Sequence, residues 1–117
     1  MKILVVDDES IVRRAIVRAL EKKGHEVFEA ENGKIGYDLW KSNQPDLMFL
    51  DVLMPELSGP EVLKKMGTQK FTKVVLMSAY SGEYNVEKAK GIGADVFVAK
   101  PFDNIFTVVE QAIGLVE

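Results

Sequence analysis

Apolar residues gather in four short runs along the chain, residues 3–6, 47–50, 74–77 and 96–99. Each has the length and unbroken character of a strand buried on both faces. Residues 26–30 form a weaker fifth candidate, with Val27 and Phe28 set among acids as an edge strand tolerates. Between the runs the apolar spacing changes to a helical period. Val12, Ala15, Ile16, Ala19 and Leu20 precede Gly24; Ile35, Leu39 and Trp40 follow Asn32 and Gly33; Val62, Leu63 and Met66 precede Gly67. Two further helices are expected over residues 84–90, before Gly91, and over residues 102–116. The pattern is (βα)5. Crossovers of this length predict an α/β fold, a doubly wound parallel five-stranded sheet of flavodoxin-like type with helices on both faces.

The polar residues that follow the runs carry the chemistry. Asp7 and Asp8 follow the first, Asp51 the second, Ser78 the third and Lys100 the fourth. All of them fall at the carboxyl ends of strands, so they arrive at one rim of the sheet. In open α/β sheets ligands bind at that rim, where the winding reverses; in the order 2-1-3-4-5 this point lies between strands one and three. Those two strands carry Asp7, Asp8 and Asp51. Three carboxylates in one small volume repel one another unless a cation sits among them, so the cluster predicts a metal. Hard oxygen donors of this number indicate Mg²⁺. A carboxylate also serves as a nucleophile toward phosphorus, while a lysine and a hydroxyl bind developing phosphoryl oxygens. The set suits phosphoryl transfer to Asp51.

Composition narrows the alternatives. The 117 residues fill one domain and are too few for two, so a single domain over 1–117 with no output module is expected. Fifteen Lys and Arg against eighteen Asp and Glu give a net charge of -3, the wrong sign for nucleic-acid or anionic-membrane binding. With no Cys there is no disulfide framework or thiolate chemistry, and the single His25 rules out a His-based metal cluster. No apolar run approaches the roughly 18 residues of a membrane span. A cytoplasmic location without membrane insertion is the expectation.

The segments 3–9 (ILVVDDE), 51–59 (DVLMPELSG), 77–79 (MSA) and 94–102 (ADVFVAKPF) together resemble the response regulator receiver domain of two-component signal transduction, in its chemotaxis-regulator-like single-domain form. The resemblance covers the whole chain. It implies the strand order 2-1-3-4-5, with Asp51 as phosphoacceptor and Asp8 as the main acidic Mg²⁺ ligand. Asp7 assists through water, and the backbone carbonyl of Leu53 completes the protein ligands. Ser78 takes the position of the switch hydroxyl, Phe97 that of the switch aromatic, and Lys100 that of the lysine contacting the phosphoryl group; the Lys100–Pro101 bond is expected to be cis. The implied partners are a sensor histidine kinase as phosphodonor and a downstream protein target in trans. The protein would catalyse its own phosphorylation without being a turnover enzyme.

Taken singly, these residues have plainer readings. Asp7 or Asp8 alone suits a helix N-terminus, Ser78 a turn, and Lys100 before Pro101 a surface corner. His25 reads as an exposed loop residue, so the donor histidine belongs to another protein. Trp40, Met48, Met66 and Met77 read as core. On the first helix the buried face centres near Val12, Ile16 and Ala19, leaving Ile11 and Ala15 beside Arg14 and Arg18 as a candidate kinase-docking edge. Leu53 and Tyr80, two positions after Asp51 and Ser78, flank the path of an attacking water and predict a long-lived phosphoryl group. One rival is a relay intermediate passing phosphate to a second histidine protein. Another is an aspartate-nucleophile phosphatase, but the acid such enzymes place two residues after the nucleophile is here Leu53.

Overall fold

The computed structural model describes residues 1–67, 71–79 and 86–117. Ten elements alternate in chain order: β1 (Lys2–Val6), α1 (Ser10–Lys22), β2 (Glu26–Ala30), α2 (Gly33–Asn43), β3 (Leu47–Asp51), α3 (Gly59–Met66), β4 (Lys73–Ser78), α4 (Val86–Gly91), β5 (Val96–Ala99) and α5 (Ile105–Gly114). The strands form one parallel sheet in the order β2-β1-β3-β4-β5. Every residue of β3 is buried, as its central place and all-apolar run Leu47–Met48–Phe49–Leu50 require. The outer strands β2 and β5 are half-buried, so the acids beside Val27 and Phe28 reach water.

Alternation along the strands divides the core in two. Ile3, Val5, Leu47, Phe49, Val75 and Met77 pack under α1 and α5; Leu4, Val6, Met48, Leu50, Val74 and Leu76 pack under α2, α3 and α4. In α1 the buried positions are Ile16, Val17, Ala19 and Leu20, with Val12 only half-buried. The face is thus rotated toward Val17 relative to the expectation from apolar spacing.

Helix ends follow their caps. Ser58 opens α3 with a reciprocal capping box to Glu61, and Asn32 accepts from the Ile35 amide to start α2. The expected last helix over residues 102–116 is shorter, because the Asn104 carboxamide oxygen accepts from the Phe106 and Thr107 amides and sets the first turn there. The start expected at Tyr84 for the fourth helix lies outside the described residues. His25 is half-buried, its Nδ1 3.2 Å from the Met1 amine, so it is less open than an exposed loop residue. Among the described residues no helix is long and apolar enough to cross a membrane.

Candidate phosphoacceptor site

The register sets the rim. β1 pairs with β3 from Ile3–Leu47 to Val6–Leu50, so Asp7 and Asp51 emerge side by side at the carboxyl end. The Asp7 amide donates to the Ala30 carbonyl at 3.1 Å, which carries the sheet bonding one residue beyond β1 and fixes the Asp7 backbone. Arg13 adds a second anchor, its Nη1 donating to the Asp7 carbonyl at 2.9 Å while its Nε pairs with Glu29 on β2, also at 2.9 Å. Gly59 permits the return of the chain on the other side. A Cβ there would lie 2.3 Å from the Asp51 carbonyl oxygen, and the Gly59 amide donates to the Val52 carbonyl at 2.9 Å.

Carboxylate oxygens of Asp7, Asp8, Glu9 and Asp51 all lie within 4.8 Å of one another. Asp7 and Asp51 are buried, whereas Asp8 and Glu9 are exposed. Lys100, following β5, reaches across to them with its ammonium 3.1 Å from Asp7 Oδ2, 2.6 Å from Glu9 Oε1 and 3.4 Å from Asp51 Oδ2. Asp51 Oδ1 accepts the Val52 amide at 3.0 Å. Burial first, and the charge of Asp7 second, push the Asp51 carboxyl up to about 7, with Lys100 only partly opposing the two. Burial alone would lower the Lys100 ammonium. The Glu9 hydrogen bond and the charges of Asp51 and Asp7 outweigh it and hold Lys100 above the ordinary lysine range. A carboxyl raised by burial and by a neighbouring acid is what a buried acidic cluster short of positive charge produces, and all-oxygen donors fit Mg²⁺.

Five residues singled out in the sequence therefore meet at one rim: Asp7, Asp8, Asp51 and Lys100 in contact range, with Ser78 closing β4 beside them. Ser78 is buried and its carbonyl accepts the Lys100 amide at 2.8 Å. It lies two residues beyond Leu76, the cross-strand partner of Phe97, so Ser78 and Phe97 share the face covered by α2, α3 and α4. Phe97 is half-buried there. Leu53 stands in the loop after β3, its side chain 50% exposed. Lys100–Pro101 is cis. Tyr80 lies outside the described residues. On α1, Ile11, Arg14, Ala15 and Arg18 form one exposed stripe at helical spacing, Ile11 being 85% exposed, and Arg14 is paired with Glu29.

Sequence reasoning assigned no role to Glu9 or Arg13. The only available signal for Glu9 is its place in a run of three acids after β1, because its ion pair bridges 91 positions and depends on side-chain reach. Arg13 lies on a helix whose apolar spacing gives no sign that its side chain reaches back to the Asp7 carbonyl.

The family described as response regulator receiver domain matches residues 3–109. The transcriptional regulatory protein SrrA of Staphylococcus aureus is 36% identical over 101 residues, which span 86% of this chain and 42% of that protein; the chain thus spans less than half the length of this curated relative. The receiver domain of the Francisella response regulator 1452 superposes with a TM-score of 0.88 at 30% identity, covering 97% of this chain and 94% of that one. The Vibrio cholerae chemotaxis protein CheY4 gives 0.83 at 29% identity, covering 99% and 98%.

Proposed function

Because the chain belongs to the response regulator receiver domain family, we propose that it takes a phosphoryl group on Asp51 from the phosphohistidine of a partner sensor kinase, in a Mg²⁺-dependent reaction. The observation that carries this reading is the buried Asp51 carboxylate, 3.4 Å from the Lys100 ammonium and within 4.8 Å of three further acids. An Asp51 oxygen forms the new bond to phosphorus as the P–N bond of the donor breaks and the imidazole nitrogen keeps the electron pair. Asp8 and Asp51, with Asp7 behind them, are the residues to hold Mg²⁺, which when bound supplies positive charge against the transferring phosphoryl oxygens. Lys100 supplies the second cation. Arg13 and the sheet bond at Asp7 keep the acids in place before the donor arrives, so little reorganisation remains at the moment of transfer.

Ser78 and Phe97 support a switch, since they share one face and Phe97 sits in the edge strand β5, where a rearrangement reaches the surface. A downstream protein in trans is the expected reader. The exposed Ile11, Arg14, Ala15 and Arg18 stripe is the proposed kinase-docking edge. The protein is a stoichiometric phosphoacceptor and not a turnover enzyme.

Incubation with Mg²⁺ and acetyl phosphate, followed by intact mass measurement, tests the central claim. One added phosphoryl group is expected on the wild type and none on Asp51→Asn. A wild type without it, or an adduct persisting in the variant, overturns the reading.

A further inference from the structure

Glu9 sits at the N-cap of α1, where a short polar side chain ordinarily accepts a backbone amide, yet it makes no such bond. Its carboxylate turns instead to Lys100, at the shortest of the three ammonium contacts, 2.6 Å. A residue that neglects its local helix for a contact 91 positions away breaks a local rule at a functional site. The contact also takes one of the three Lys100 N–H donors: Asp7 and Glu9 accept hydrogen bonds from the ammonium at 3.1 and 2.6 Å, and the Asp51 carboxylate lies 3.4 Å away as an ion pair.

Resting on the receiver reading above, we propose that Glu9 is a positioning residue that holds Lys100 in the unphosphorylated protein and is the partner Lys100 gives up when Asp51 is phosphorylated, so that Glu9 slows phosphoacceptance. The phosphoryl group adds acceptor oxygens on Asp51, and to turn toward them Lys100 must loosen one of the two hydrogen bonds that now hold it. One present partner must yield. Asp7 has no exposed surface, and releasing it would leave a buried carboxylate without its ammonium. The Glu9 side chain is 57% exposed and returns to water at little cost. The same exposure caps the effect at that of a solvent-screened ion pair. Glu9 thereby holds Lys100 at rest and competes with the phosphoryl oxygens for it during transfer.

The test compares the full chain with its Glu9→Ala and Glu9→Asp variants in acetyl phosphate and Mg²⁺, following the phosphoryl adduct by intact mass. In this reaction the Asp51 oxygen bonds phosphorus as acetate leaves with the electrons of the broken P–O bond. Both variants are expected to be phosphorylated about two- to fivefold faster than wild type, the range of an exposed ion pair. Glu9→Asp keeps the charge but is one methylene short of the ammonium, so its faster rate at an unchanged half-saturating Mg²⁺ concentration assigns the effect to the contact. Glu9→Asp no faster than wild type overturns the proposal, as does a slower rate with weakened Mg²⁺ binding, which would make Glu9 a metal ligand. A wild type that takes no phosphoryl group at all is a failure of the receiver reading and is recognised as such.

Discussion

Asp51 carries electrostatic tension that can be measured without any phosphodonor. Its carboxyl is raised from 3.8 to about 7, first by burial and then by Asp7. Between those values the folded chain binds a proton at Asp51 that the unfolded chain has already released, so stability falls as pH rises through this window. Holding the ionised carboxylate in the folded chain at higher pH therefore costs on the order of 2 to 4 kcal/mol. Asp51→Asn removes that cost. In buffer without divalent cations it should melt well above the wild type at pH 8, and the two curves should converge toward pH 4; equal melting temperatures at pH 8 would show that Asp51 ionises without strain. Leu53 acts at the same scale by a different means. Half exposed two residues after Asp51, it offers no polar atom on its side chain to a water approaching a phosphoryl group there. Leu53→Asn supplies one hydrogen bond to such a water, and the phosphoryl group should then be lost about three- to tenfold faster. An unchanged decay of the adduct by mass would assign the lifetime to other residues.

Elements position these side chains, and one close joint lies between β3 and α3. At Gly59 an added methyl would meet the Asp51 carbonyl oxygen at 2.3 Å, which is backbone and cannot turn aside. Gly59→Ala should therefore cost about 1 to 3 kcal/mol in chemical denaturation, the range of overpacking, and should weaken Mg²⁺ binding because the displaced peptide belongs to Asp51. Loss of stability with Mg²⁺ binding intact would mean that the loop and the site move independently. The strands themselves were legible in the chain, since a strand covered on both faces must be an unbroken apolar run, and residues 47–50 or 74–77 allow little else. Helix ends were less so. Phe102 drew the last helix forward by its apolarity, while the weaker signal of Asn104 as a cap decided the matter. The acids and Lys100 were legible because carboxyl ends of parallel strands share a rim. The Glu9 and Arg13 contacts were not, because they depend on how far a long side chain reaches after the sheet has formed.

The whole molecule couples that rim to its stability through the division of labour among the acids. Asp7 and Asp51 are buried and held by Lys100, whereas Asp8 is exposed. Asp8 thus adds charge for a cation while little of the fold leans on it. Any ligand that binds only the folded chain stabilises it by mass action, about 2.7 kcal/mol at one hundred times its dissociation constant. For a chain of 117 residues that is roughly 10 °C in melting temperature. Mg²⁺ at constant ionic strength should raise the wild-type Tm by this amount. Asp8→Asn should leave the metal-free Tm within a few degrees of wild type and abolish most of the rise, because it removes a proposed ligand without unpairing a buried group. Asp7→Asn should lower the metal-free Tm as well, since the Lys100 ammonium and the β1–α1 turn both depend on that carboxylate. Melts in which Asp8→Asn keeps the full Mg²⁺ response would move the metal away from the exposed acid and onto Asp51 and Asp7 alone.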